Sequence, residues 1–347
     1  MNSWDIIIAG AGIIGVSLAL ELREQGARVL VLDRGESGSE ASSAAAGMLA
    51  ADDSATPAAL RPLTQESARM FPEYVRKIEG LSGIKTDFRR QGTIVFGQHA
   101  VPPPAYKELS SHELRQREPF LQSHSQPAFF VQEDSVDPRL LMKAAVSAAQ
   151  NGGVEIRGST EVKSIRAGDN GVEVLTNAGV FAAAQAINCR GAWSGAPVRP
   201  RKGQMLYLQP ERKNLLRHVV HAPEVYIVPR TTGKILVGAT VEDVGFDKTV
   251  TPSTIQDLLK AATLYLPELA SAPIIQSWAG LRPGTPDDLP ILGLTDTPGV
   301  FVASGHFRNG ILLAPVTAKI MAEIMTGKQP SFAISAFAPS RFAPANV

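Results

Sequence analysis

The chain has 347 residues, of which 44% are hydrophobic and 19% charged, and its formal net charge is +1. This composition predicts two intermixed domains around a large core and excludes a disordered chain. Because no basic run occurs, we expect no nucleic-acid partner. The single cysteine, Cys189, excludes an intrachain disulfide, and no apolar stretch reaches the roughly 20 residues of a membrane helix.

The first residues predict a dinucleotide-binding strand, turn and helix. The apolar run 5–9 indicates a buried parallel strand, and Gly10-Ala11-Gly12-Ile13-Ile14-Gly15 follows it directly. An apolar-faced helix then continues to Gly26. Since the first strand begins about four residues into the chain, we expect no leader peptide and a cytoplasmic protein.

Each glycine of this turn has a separate role. Gly10 allows a tight turn, Gly12 lets the backbone approach a pyrophosphate, and Gly15 lets helix and strand pack closely. A second apolar strand, 28–32, ends at Asp33, whose carboxylate can accept hydrogen bonds from a ribose hydroxyl. Asp33 would repel the 2′-phosphate of NADP, but the motif does not distinguish FAD from NAD.

The middle of the chain alternates helices and strands. In order, the pattern predicts a small-residue segment at 34–48 that composition alone favours as a loop, a helix at 60–78, a strand pair at 88–96, a connector at 102–104, a helix at 137–152, a strand at 154–156, a hairpin of 162–165 and 172–175, and a strand at 184–188.

The pattern changes after residue 204. Strand-like runs at 205–208, 225–228 and 235–238 and a helix at 252–265 predict a mostly antiparallel sheet that covers the substrate. A glycine-rich turn at 305–310 then precedes a helix predicted at 311–325.

Three further segments carry motifs of a known family: 42–49 (SSAAAGML), 278–285 (WAGLRPGT) and 305–315 (GHFRNGILLAP). With the N-terminal turn and the run 226–230 (YIVPR), the chain resembles the FAD-dependent D-amino-acid oxidase superfamily, and within it the glycine oxidases of bacterial thiamine biosynthesis. The resemblance implies a mixed α/β (α+β) fold. A Rossmann-like FAD-binding domain with a parallel sheet is expected at about 1–85, 135–203 and 285–347, and a mostly antiparallel substrate domain at about 86–134 and 204–284.

The activity implied by the resemblance is oxidation of glycine to iminoglycine with non-covalent FAD, oxygen as electron acceptor and hydrogen peroxide as product. The imine is used for thiazole assembly, by hand-off to thiazole synthase, or is hydrolysed to glyoxylate and ammonia. The expected partners are a small amino-acid substrate and oxygen. We expect no association with a membrane, and we expect the chain to form a homo-oligomer. The small-residue segment would lie alongside the isoalloxazine, which reverses its interpretation as a mobile loop.

A small amino acid offers mainly its carboxylate and amine for recognition. Arg282 is the best carboxylate ligand, since its planar fork can grip both oxygens, and Tyr226 would add a phenolic donor. Arg308 matches a second active-site arginine. No side chain at the matched positions is an obvious general base, so we expect the substrate ammonium to lose its proton to solvent or on binding.

The FAD contacts implied by the resemblance come from several segments. They are Gly10, Gly12, Ile13, Ile14, Gly15, Asp33, Arg34, Ser42, Ser43, Ala45, Ala46, Gly47, Met48, Val162, Cys189, Gly191, Trp193, Gly280, Arg282, His306, Arg308, Asn309, Gly310, Ile311 and Leu312. The turn 309–311 is expected to open a helix whose free N–H groups suit negative charge on the reduced flavin.

The substrate pocket is expected to include Met48, Val241 and Glu224. Two of these depart from the family's pattern, because Glu224 stands where histidine is expected and Val241 where methionine is expected. A smaller Val241 would leave room for a larger side chain or an N-substituent. His218 and His221 form an H-x-x-H, but the odd offset on a strand directs them to opposite faces, so we expect no metal site.

Three alternatives stay open. Sarcosine or a small D-amino acid could be oxidised by the same machinery, or a dehydrogenase could pass electrons to a quinone or a partner protein. A third alternative is an NAD-binding module or a non-catalytic flavin-binding protein, which would leave Arg282 and Tyr226 without a purpose. The monomeric sarcosine oxidases tether flavin through a cysteine near the C-terminal part of the chain, whereas Cys189 lies mid-chain.

Overall fold

The computed structural model describes residues 4–97, 102–122 and 126–342. The strands are β1 Trp4–Ala9, β2 Val29–Leu32, β3 Met48–Leu49, β4 Thr93–Phe96, β5 Lys107–Leu109, β6 Ala128–Val131, β7 Asp134–Ser135, β8 Glu155–Arg157, β9 Val162–Gly168, β10 Gly171–Thr176, β11 Gly179–Asn188, β12 Arg199–Leu208, β13 Val219–His221, β14 Tyr226–Pro229, β15 Ile235–Gly238, β16 Ile274–Gly284, β17 Ile291–Leu294 and β18 Val300–Ser304. The α-helices are α1 Ile13–Glu24, α2 Ala41–Ala44, α3 Arg61–Ser82, α4 Ser111–Arg117, α5 Pro138–Asn151, α6 Pro252–Tyr265 and α7 Ala314–Met325.

The first large sheet has the order β17-β18-β11-β1-β2-β8, and the β9–β10 hairpin joins it through β11. β1 is central and parallel to both neighbours, with Ile7 opposite Leu30 and Ala186. Alternate residues of β1 and β2 pack against α1, α3, α5 and α7 on one face and against the β9–β10 hairpin on the other. Both faces are therefore buried, which explains the unbroken apolar runs of these strands.

The second large sheet has the order β16-β12-β15-β14-β13-β4-β6-β5, and all its pairs are antiparallel except β13 with β4. Leu206 and Leu208 of β12 share an apolar cluster with Ile255 and Leu258 of α6. Met205 and Tyr226 of this sheet line the same cavity as Gly10 and Gly12 of the turn that follows β1. The mixed α/β fold and the mostly antiparallel second sheet are confirmed, while the domain boundaries given above stay a prediction.

Most predicted helices form where expected, and for α5 the N-cap explains where the helix starts. The Asp137 carboxylate accepts hydrogen bonds from the N–H groups of Arg139 and Leu140, which starts α5. The strand pair predicted at 88–96 is wrong, because only Thr93–Phe96 forms a strand and Arg89 makes an isolated bridge to Ser135. The segment 34–48 also contains the short helix α2 and half of β3.

The last helix begins later than predicted. Phe307–Asn309 form a short 3-10 helix and residues 310–313 form turns, so α7 starts only at Ala314. The prediction that the turn 309–311 opens this helix is therefore wrong. In the described ranges, no helix has both the length and the apolar character needed to cross a membrane.

Candidate active site

A single cavity of about 530 Å³ runs from the glycine-rich turn of the first sheet to the facing side of the second sheet. It brings together all but three of the residues that the sequence singled out. The exceptions have clear structural places. A Cβ on Gly15 would lie 2.0 Å from the carbonyl oxygen of Gly10, so this glycine packs helix α1 on the turn. Ser43 donates its N–H to Gly38, and Leu312 is buried in the core.

The dinucleotide end of the cavity is built by backbone N–H groups and one carboxylate. Asp33 accepts hydrogen bonds from the N–H groups of Ala11 at 2.7 Å and Gly35 at 2.9 Å. A carboxylate has about four lone-pair sites, so Asp33 keeps acceptor capacity for a ribose hydroxyl. Gly12 stands at the N-cap of α1, and Ile13 donates its N–H to the Ser42 hydroxyl at 3.0 Å.

Side chains from both sheets close over the cavity near this end. The Arg34 guanidinium lies 3.5 Å above the Trp193 ring, and Phe246 stacks on Trp193 at 5.4 Å between ring centroids. Glu40 pairs with Arg34 at 2.6 Å and with Lys248 at 3.0 Å. The segment that carries Phe246 and Lys248 therefore links the second sheet to the first.

Arg282 and Tyr226 lie together at the opposite end. Arg282 is half-buried on β16, and its Nη1 donates to the carbonyl of Thr240 at 3.1 Å. A Cβ at Gly203 would lie 2.3 Å from this Nη1, so the glycine on the neighbouring strand makes room for the guanidinium. Burial raises the pKa of Tyr226, although the positive charge of Arg282 opposes the rise, and the phenol donates to Met205 Sδ at 3.4 Å. The phenol therefore stays neutral and can act as a donor.

The remaining predicted substrate-pocket residues are spread around this end. Met48, Val241 and Glu224 all line the cavity, and Val241 and Glu224 are exposed toward solvent. Arg308 is also exposed and belongs to the short 3-10 helix Phe307–Asn309. The cavity therefore has a cationic, half-buried side at Arg282 and an open side at Glu224.

The small-residue segment between α2 and β3 is fixed in place by the second sheet. Arg230 is buried, and it donates to the carbonyls of Ala46 at 2.6 Å and Val136 at 3.0 Å. Trp278 donates its indole N–H to the carbonyl of Ala44 at 3.1 Å. The segment is thus held rigidly along the cavity wall, against the expectation from composition alone.

Two titratable side chains of the cavity wall, His306 and Cys189, are uncharged near neutral pH. Burial lowers the pKa of His306 to about 3, and its Nε2 lies 3.1 Å from the Thr317 hydroxyl. Burial also raises the pKa of the Cys189 thiol. Both side chains are therefore neutral, and neither can serve as a general base or a nucleophile near neutral pH.

The H-x-x-H pair is separated as the strand offset predicts. His218 contacts the Glu118 carboxylate at 2.7 Å, whereas His221 lines the cavity. Where the structure describes the chain, no group of three or more histidine, cysteine or acidic side chains could hold a metal ion.

Several residues of the cavity wall were missed by the sequence reasoning. Met205 and Ala239 come from β12 and the end of β15, and Arg190 donates to the carbonyl of Val162 at 2.9 Å beside the predicted Cys189. Met205 lies two residues after Gly203 on β12, so both residues lie on the face of the strand that is next to Arg282. The sequence gives no such signal for Arg190, because the direction of its side chain depends on the hydrogen bond to the distant Val162 carbonyl.

Comparison with known proteins shows similarity to FAD-dependent enzymes over most of the chain. The model of the family described as FAD dependent oxidoreductase matches residues 5–324. The bifunctional protein ThiO/ThiG of Nostoc sp. is 38% identical over 97% of this chain, which covers 55% of that protein. The chain therefore spans about half the length of the bifunctional relatives that it matches. A glycine oxidase of Pseudomonas aeruginosa is 32% identical, with 96% of this chain and 98% of that protein covered.

A solved structure extends the agreement to three dimensions. The crystal structure of glycine oxidase from Geobacillus kaustophilus superposes with a TM-score of 0.93 and 30% identity, over 99% of this chain and 100% of the other. From the matched residues, the dinucleotide turn and the shared fold, we conclude that this chain belongs to the family of FAD-dependent oxidoreductases.

Proposed function

We propose that this protein oxidises glycine, or an amine of similar size, to its imine with FAD as cofactor and oxygen as the final electron acceptor. The observation that carries the proposal is the pairing of Arg282 with Tyr226 in the same cavity that begins at the dinucleotide turn. The glycine oxidases among the relatives support it, as does the close superposition on one of them.

The residues of the cavity fit a non-covalently bound FAD. Gly12 places no side chain over the N-terminus of α1, Asp33 keeps lone pairs for a ribose, and the Arg34–Trp193 stack covers the same end. The lone cysteine of the wall is a buried, neutral thiol, which argues against a thioether tether. When bound, FAD supplies the acceptor for the two electrons of the substrate C–H bond, and oxygen takes them on to hydrogen peroxide.

The carboxylate of the substrate would bind to Arg282 and Tyr226. Two guanidinium N–H groups can reach both carboxylate oxygens, and the neutral phenol adds a third hydrogen bond. This contact fixes the orientation of a molecule with few other atoms, so positioning supplies much of the rate. No ionised base of the wall is needed if the ammonium proton leaves to solvent before the C–H bond breaks.

The overall reaction then balances without another reactant. Glycine and oxygen give iminoglycine and hydrogen peroxide, and water converts the imine to glyoxylate and ammonia. The bifunctional ThiO/ThiG relatives support an additional proposal, in which the imine is handed to a thiazole synthase before it hydrolyses.

Substrate size is proposed to depend on the open side of the pocket. Val241 is smaller than the methionine expected there, and Glu224 places a carboxylate where histidine is expected. Both changes leave the carboxylate end unaltered and would act on the amine or side-chain end of the substrate.

The test is peroxide release from the FAD-loaded protein with glycine, sarcosine and D-alanine measured side by side. The lowest KM with glycine would support glycine as the substrate. A lower KM with sarcosine or D-alanine would still support an oxidase. It would indicate that the N-methyl group or the side chain of the substrate lies at the open side of the pocket near Val241. If none of the three gave peroxide but all reduced an artificial acceptor, oxygen as the final acceptor would be refuted.

A further inference from the structure

Lys202 is a buried cation that the proposed reaction does not use. It lies on β12 with a side chain only 3% exposed, and its Nζ is 3.3 Å from a Glu242 oxygen and 3.5 Å from an Asp247 oxygen. Lysines are almost never this buried unless they are paired. The pair joins β12 to the segment that follows β15, which is the segment that carries Val241.

The backbone and the polar side chains fasten the same segment at further points. Lys202 and Glu242 exchange two N–H to carbonyl hydrogen bonds, both at 2.9 Å. Gln204 donates its backbone N–H to the Thr240 hydroxyl at 3.0 Å and its side-chain Nε2 to Glu242 at 2.9 Å. The Thr240 hydroxyl also donates to the Glu242 carboxylate. Residues 240–242 are therefore pinned along the edge of β12.

This segment presents its other side to the active site. Because side chains alternate along an extended chain, Thr240 and Glu242 face the lysine while Val241 between them faces the cavity. The carbonyl of Thr240 accepts the hydrogen bond from Arg282 Nη1 at 3.1 Å. A single short segment thus connects the buried pair to the proposed carboxylate ligand and to the pocket wall.

We propose that Lys202 and Glu242 are positioning residues, which fix the Arg282 guanidinium through the Thr240 carbonyl and hold Val241 in the pocket wall. The inference rests on the proposed role of Arg282 as carboxylate ligand. Removal of Lys202 leaves the Glu242 charge without its cation, and removal of the Glu242 charge leaves the buried lysine with only the more distant Asp247. In either case the segment shifts and the Thr240 carbonyl no longer orients the guanidinium.

The ionised state of Glu242 is consistent with this role. Burial alone would raise its pKa, but hydrogen bonds from Thr240, Gln204 and Lys202 outweigh burial and hold the pKa below its ordinary value of 4.5. Glu242 is therefore ionised at neutral pH.

The test uses FAD-loaded protein and two substitutions, Glu242→Gln and Lys202→Met. The first keeps the shape of the side chain and, through its amide oxygen, the hydrogen bonds from Thr240 and Gln204, and it removes only the charge that pairs with Lys202. It therefore serves even if the second lowers the yield of folded protein. Lys77→Met is the matched control, because Lys77 also pairs with two carboxylates, Glu21 and Glu24, and lies outside the cavity. Acetate, a carboxylate without an amine, is titrated while the visible flavin absorbance is followed.

We expect both substitutions to raise the Kd for acetate and the KM for glycine about tenfold, the order of one lost charge-assisted hydrogen bond. The kcat and the FAD content should change less than about twofold, and Lys77→Met should change neither constant. A Kd within twofold of the unsubstituted protein in either substitution would overturn the inference. Equal losses in kcat and FAD content would also overturn it, since they would indicate general loosening.

A double substitution separates positioning from a direct effect. If Glu242 acts through Arg282, Glu242→Gln has no further effect on acetate binding once Arg282→Met is present. A further tenfold loss in that background would refute the coupling. If Arg282→Met alone leaves acetate binding unchanged, the carboxylate assignment of the proposed function fails, and the inference fails with it. Acetate binding that depends on Arg282, with no peroxide from glycine, sarcosine or D-alanine, would refute the oxidase reaction alone.

Discussion

Replacement of Arg282 by methionine is the most direct test of the proposed carboxylate site. One Nη1 hydrogen is already used by the Thr240 carbonyl, which leaves the other guanidinium N–H groups for a carboxylate. Two such hydrogen bonds to a charged partner contribute about 1.5 kcal/mol each at a half-buried position, or about 3 kcal/mol together. This corresponds to a loss of roughly 150-fold in kcat/KM.

The assay is steady-state peroxide release with glycine, run beside a measurement of bound FAD from the visible absorbance. Bound FAD should change little, because most of the expected FAD contacts, the dinucleotide turn among them, lie elsewhere in the cavity. Arg282→Lys should give an intermediate loss, since a lysine keeps the charge but cannot replace the planar fork that serves Thr240 and both carboxylate oxygens. A loss below about fivefold for Arg282→Met would refute the reasoning.

Three further substitutions give separate tests. Tyr226→Phe should raise the KM for glycine about fivefold, since one hydrogen-bond donor worth about 1 kcal/mol is lost. Burial raises the pKa of Tyr226 above its ordinary 10.0, so the phenol keeps its proton below that pH. The unsubstituted protein and Tyr226→Phe should therefore show the same fall in rate on the alkaline side of a pH profile. Arg230→Met should lower the free energy of unfolding by about 3 kcal/mol in urea, because the carbonyls of Ala46 and Val136 lose a buried donor. Val241→Met should lower the ratio of kcat/KM for sarcosine to that for glycine, and an unchanged ratio would contradict its place in the pocket wall.

The local features of this protein were predictable from its sequence because their signals lie close together along the chain. The strand, glycine turn and helix of residues 5–26 depend on spacing within one βαβ unit, and the α5 cap depends on Asp137 followed by proline. Some local signals were overlooked. Ser110 and Glu113 form a capping box that starts α4, and Pro315 in the first turn of α7 marks the true start of that helix.

The long-range contacts could not be predicted in the same way. Arg230 lies 184 residues from Ala46, and nothing in the run 226–230 indicates that its guanidinium turns back to that carbonyl. The pairing of Lys202 with Glu242 depends on the register between β12 and the segment after β15, which side-chain alternation alone does not fix. Family resemblance supplied Arg282, Tyr226 and Arg308 as candidates, whereas the network behind Arg282 required coordinates.

The wall of the cavity is assembled from residues that are far apart in the order of synthesis. Gly10 and Ile311 both line it, and strand β18, which ends at Ser304, reaches the first sheet only through β11. During translation the dinucleotide turn therefore leaves the ribosome long before the last part of the cavity wall exists. Tight uptake of FAD must wait until residues beyond Ile311 have emerged, so a ribosome-bound fragment ending before β18 would hold the cofactor weakly.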